Sequence, residues 1–185
     1  MFQFPQIPSW DALHPLVIHF PIALLLIAPI FVLLGALLQP AKGRPYLIAA
    51  TVLLLLGTAG TFIAVETGEA AGEIAERTAG VQQVLETHES LAERTRAVFS
   101  ILSIIFIALV AFPMWVKKAD NRMSTTVLPL AFLVLYSAGI LLLLNTAHNG
   151  GRLVHEFGVR AMVSAPAADT NAAMPAKSER ELERD

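Results

Sequence analysis

Five histidines carry most of the chemistry this sequence can offer: His14, His19, His88, His148 and His155. Neutral imidazole ligates haem iron, copper and zinc, and it is the side chain that exchanges a proton near neutral pH. Four of the five lie at or near the ends of long apolar runs, and His155 follows His148 by a turn or two. An ionisable side chain at such a depth is costly and marks a functional hypothesis by default. His14 and His19 are five residues apart, about 140° around an α-helix. They face different ways unless that helix is distorted. Pro15 suits a first helical turn. Pro21 removes a backbone hydrogen bond and crowds the Val17 carbonyl, which predicts a kink that re-aims His19.

The elements that must position these groups are apolar helices. The chain has 185 residues, 55% of them hydrophobic and only 15% charged, against about 25% charged in an average soluble domain. Its mean hydropathy is +0.62. Runs of about 20 residues with almost no charge are transmembrane candidates, and four stand out: 15–38, 45–65, 97–116 and 127–147. The expected fold is an all-α membrane protein, a four transmembrane helix bundle within residues 1–160, followed by a disordered tail over 161–185. The first run lacks the basic flank and the cleavage site of a secretory signal. With no cysteine, disulfides, iron–sulfur clusters and covalently attached haem are excluded. A net charge of -2 does not point to nucleic acid.

Short-loop Lys and Arg set orientation. Lys42 and Arg44 mark the first loop, and Lys117, Lys118 and Arg122 the third, so both are expected in the cytoplasm. The stretch 66–96 carries seven Glu and three Arg. It is expected on the other side with both termini, which is the periplasm if this is a bacterial inner-membrane protein. Within it Val81, Val84, Leu85, His88, Leu91 and Thr95 recur at helical spacing. They predict a periplasmic amphipathic helix between the second and third spans, running into the third. "GEAAGEIAERT" before it reads as a further short interfacial helix. No repeat of known type is visible.

On this topology the histidines share one side of the membrane, and none falls in either cytoplasmic loop. His14, His19, His88 and His148 are therefore the candidate ligands, from three helices, for haem b or for a copper, zinc or iron ion. Glu66, Glu89, Asn149, Arg152 and His155 are the candidates for supporting them. Gly57, Gly60, Thr61, Ala64 and Gly68 give the second span a small-residue face that allows close helix approach or a flat macrocycle. Gly150 and Gly151 suggest a helix end or a close backbone approach. The competing readings are a channel, transporter or pH-sensing component, and a structural subunit with interfacial histidines and no cofactor. Against a channel, few polar residues interrupt the deep parts of the spans. No nucleophile–base pair or phosphate loop points to an enzyme.

The motif "LHPLVIHFPIALLL", together with "AHNGGRLVHEFGVR", resembles the bacterial four-helix membrane family known as domain-of-unknown-function family 2231, over about 13–159. Thr67-Gly68 and His88-Glu89 also fit it. The resemblance places the family's histidines on His14, His19, His88 and His148. The family pattern expects an aromatic residue at His155 and an apolar one at Asn149, so both depart from it. Some members are joined to or sit beside c-type cytochromes or Rieske proteins. The resemblance thus implies such a redox partner, besides the lipid bilayer, and a role in membrane electron transfer.

Overall fold

A computed structural model describes residues 7–116 and 121–161. Among these residues every regular element is helical. The chain enters α1 (Trp10–Val17) and α2 (His19–Leu37), returns through α3 (Pro40–Ala75), descends again in α4 (Gln82–Trp115) and returns through α5 (Leu128–His155). A π-helical turn, Met123–Val127, leads into α5. Four of these paths are long and apolar enough to cross a membrane, with α1 and α2 counted as one. Large apolar side chains such as Phe20, Ile30, Ile104 and Val134 remain exposed along them, as a lipid-facing surface requires. The expected disordered tail lies outside the described residues except for residue 161.

The first path loses one rung of its hydrogen-bond ladder where the sequence predicts a kink. Pro21 has no N–H to give Val17, which interrupts the ladder at Ile18, yet Ile18 keeps helical dihedrals (φ -59°, ψ -30°) and its N–H still reaches the His14 carbonyl. Pro15 does not start a helix, however. That role falls to Trp10, and Pro15 lies inside α1. The amphipathic stretch before the third span runs into it as expected, whereas the short helix expected before that stretch is not a separate element. "GEAAGEIA" completes α3, and 82–96 form the first turns of α4. The apolar stripe of those turns is used within the protein: Val81, Val84 and Leu85 pack with Ala75 and Leu153 into a small second core that caps this end.

In the main bundle α2 packs on α3 and α5, and α4 packs on α3 and α5, so four helices close a ring. Its core is Leu25, Ala28, Val32, Leu54, Phe99, Leu102, Phe106, Phe132 and Tyr136. Phe106 and Phe132 stack at 4.7 Å between ring centres, and Phe99 meets Tyr136 edge-on at 5.5 Å. Glycines set the helix separations. A Cβ on Gly43 would run into the Gly35 carbonyl oxygen, which fixes the tight return from α2 into α3.

The bundle repeats itself. One constant shift in sequence carries His14, Leu25, Ala28 and Val32 of the first path onto His88, Phe99, Leu102 and Phe106 of α4. A second carries Ala50, Leu54, Gly57, Ala64 and Gly68 of α3 onto Phe132, Tyr136, Gly139, Thr146 and Gly150 of α5. The contacts repeat with the residues. Leu25 fills the space over Gly57 as Phe99 and Leu102 fill that over Gly139. The matched Leu25 and Phe99 carbonyls each accept a hydroxyl from the facing hairpin, from Tyr136 (2.8 Å) and from Thr58 (3.4 Å), although these two donors stand at different positions of the repeat. Two helical hairpins of the same direction are thus related by an approximate two-fold axis along the bundle.

Candidate histidine site

His14 stands on α1 and faces α3. Its Nδ1 donates to the Ala64 carbonyl (2.9 Å) and lies 3.3 Å from the Thr67 hydroxyl. His88 stands on α4 and faces α5, where its Nδ1 donates to the Thr146 carbonyl (2.9 Å). A carbonyl oxygen only accepts, so Nδ1 carries the proton in both rings. The neutral rings therefore present Nε2 as a bare donor atom. Neither Nε2 has a hydrogen bond, and no buried side-chain nitrogen or oxygen among the described residues lacks a partner. Neither Nε2 is therefore fully enclosed. The ring centres lie 6.3 Å apart with their planes at 81°.

Both rings are seated in the same way. Each carbonyl acceptor belongs to the residue one turn before a glycine. The ring lies over that glycine: Cε1 of His14 is 2.9 Å from where a Gly68 Cβ would stand, and Cε1 of His88 is 2.9 Å from where a Gly150 Cβ would stand. Any side chain at either position would displace the imidazole. The carbonyl on the α5 side is held in turn, because the Thr146 and Thr95 hydroxyls are bonded at 2.8 Å. The Thr67 hydroxyl donates to the Ile63 carbonyl (2.8 Å), which leaves its lone pairs for His14.

Of the four expected ligands the bundle brings two together. His19 and His148 are exposed, away from the pair, because the helix carries each to another face. His155 is exposed in the last turn of α5. Glu66 is exposed as well. Glu89 lies against Gly72 of α3. Asn149 is buried and spends its amide on the Asn145 carbonyl (3.0 Å). Arg152 pairs with Glu156 at 2.9 Å on the surface, and that hydrogen-bonded guanidinium holds the Glu156 carboxyl below its ordinary range. No group of three or more His, Cys, Asp or Glu converges on one point among the described residues.

Sequence reasoning missed Thr146, placed Thr95 only on the apolar stripe, and left two roles open for each of Gly68 and Gly150. Gly150 does not end a helix, because α5 continues to His155 and the chain turns only at Gly158, in the left-handed region at φ +69°. Gly68 is a seat for a ring of the protein itself. The signal that could have found both is a glycine at the level of a facing histidine on the neighbouring helix.

A family model described as a predicted membrane protein, domain-of-unknown-function family 2231, matches residues 10–162 and so takes in every helix described above. No curated protein and no solved structure matches the chain.

Proposed function

The chain belongs to domain-of-unknown-function family 2231, a family of predicted membrane proteins, and from that premise we propose that it holds one transition-metal centre between His14 and His88 and serves electron transfer in the bacterial inner membrane. The observation that carries this reading is the pair of bare Nε2 donors, each fixed by an Nδ1–carbonyl bond, with ring centres 6.3 Å apart. Ligating imidazoles are held in this way, because a bonded Nδ1 fixes the tautomer and strengthens the opposite nitrogen. Haem b iron takes two axial imidazoles, and a copper ion takes imidazole equally well. Either supplies one-electron chemistry when bound. The partner class that goes with this role is a c-type cytochrome or a Rieske-type protein.

A transport path is less well supported. The hydroxyls deep in the bundle are spent on its own helices: Thr61 on the Thr58 carbonyl, Thr51 on that of Leu47, Ser100 on that of Arg96.

Reduced-minus-oxidised visible spectroscopy and elemental analysis of protein purified after growth with haem and metals test the proposal. One centre per chain is expected, lost in His14→Ala and in His88→Ala and kept in His19→Ala and His148→Ala. Colourless, metal-free protein would end it. The positive-inside rule supports a periplasmic face for the site, since Lys42 and Arg44 lie at the opposite end of the bundle. A cysteine at Gly80 should therefore react with a membrane-impermeant thiol reagent in intact cells freed of their outer membrane, and one at Lys42 should not. The reverse pattern would move the site to the cytoplasmic face.

A further inference from the structure

We infer that the occupant of the His14–His88 pair is a single copper(I) ion, bound by the two Nε2 atoms alone. The inference rests on the reading of the pair as a metal centre, and it narrows the metal by donor count, spacing and space. Zinc in a closed protein site takes four ligands, and magnesium, calcium and manganese take oxygen donors. Here there are two nitrogens, with no third histidine or carboxylate converging on them among the described residues. Copper(I) is a soft ion that accepts imidazole and is satisfied by two donors in line. A metal–imidazole bond of about 2.0 Å on each side, with the distance from nitrogen to ring centre added, allows the centres of two imidazoles on one ion to lie up to about 6 Å apart. The observed spacing is 6.3 Å.

The same spacing would suit the iron of a haem, so space decides between them. A porphyrin needs an open slot around its iron. The glycines of α3 at this level are already covered by side chains of the bundle: Gly60 by Pro21, Gly68 by His14 and Gly72 by Glu89. Gly150 on the other side is covered by His88. A bare ion asks for none of that space. The ion would sit between two similar half-sites, each made of one imidazole, one carbonyl and one glycine.

The test is anaerobic titration of the full-length, detergent-purified, metal-stripped protein with copper(I) against a chromophoric copper(I) chelator, joined to copper K-edge absorption of the loaded protein. One ion per chain is expected, with the edge feature of two-coordinate copper(I). Affinity should fall at least 100-fold in His14→Gln and by the same factor in His88→Gln, and should hold in His19→Gln and His148→Gln. Circular dichroism and size-exclusion profiles of each variant separate lost binding from lost folding. For a variant that does not fold, the conservative His→Asn replacement at that position takes its place. Three or four ligands at the edge, or full affinity in a folded His14 or His88 variant, would overturn the copper assignment. Haemin added to the same stripped protein separates the two readings. A Soret band that depends on both histidines would overturn copper and keep the metal centre, whereas binding of neither copper nor haem would overturn both.

Discussion

Gly150→Ala should weaken metal binding at the histidine site by about 10–100-fold while the protein unfolds at nearly the same point as before. The added Cβ would stand 2.9 Å from Cε1 of His88. That atom is the outer edge of a side chain that can swing away, so the backbone has no need to move. Two terms of stability nearly cancel. The lost Nδ1 bond to the Thr146 carbonyl costs about 1 kcal/mol, and replacing a helical glycine with alanine returns about 1 kcal/mol. The metal term has no such compensation, because His88 loses the bond that fixes its tautomer and direction. Gly68→Ala should do the same to His14 through the Ala64 carbonyl. Metal titration beside denaturant unfolding measures both quantities on one preparation. Retained affinity in both alanine variants would show that the glycines are not seats for the rings.

Phe99→Ala should destabilise the bundle by about 3 kcal/mol, the low end for removing a buried aromatic ring. Phe99 has no exposed surface and touches the Gly139 position, Leu102 and Tyr136. The low end applies because an unfolded membrane helix leaves its side chains in lipid, so little is gained by transfer out of water. What is lost is packing and the cavity left behind. Its carbonyl also receives the Thr58 hydroxyl, but that bond is on the backbone and survives the change. Leu25→Ala, at the equivalent place in the other hairpin, should cost about 2 kcal/mol, in proportion to the smaller group removed. Steric-trapping or mixed-detergent unfolding measures the difference. A loss below 1 kcal/mol for Phe99→Ala would mean that the two hairpins close over the gap.

The helices were legible in the sequence because apolar runs and the lipid's demand for internally bonded backbone leave few choices. Their ends were not. Ala75 and Gln82 lie well beyond the apolar runs, since polar helix ends that pack on one another leave no hydropathy signal. His14 and His88 could be singled out by type and depth. That His19 and His148 face elsewhere depends on helix rotation, which residue type does not report. The interruption at Ile18 followed from Pro21, yet Pro15 sits inside a helix, where it can give the Asp11 carbonyl no N–H. The repeat stayed hidden because its two halves share positions rather than residues: Leu54 stands where Tyr136 does, and Pro21 where Thr95 does.

That last feature has a genealogical meaning. A two-helix hairpin with one histidine in its first helix and one glycine near the end of its second needs only a copy of itself to build this bundle. Two such hairpins would close as a symmetric dimer, with nothing left over to polymerise. In that dimer every substitution is made twice, and neither imidazole can change without the other. Joining the hairpins through the short segment 76–81, between α3 and α4, lifts that restriction. One half is then free to acquire Pro21 in its first path, and the other Tyr136 and the Thr95–Thr146 hydroxyl pair. Duplication and fusion of a dimeric ancestor leave this pattern of like positions and unlike residues, with the two histidines as the part that had to stay matched.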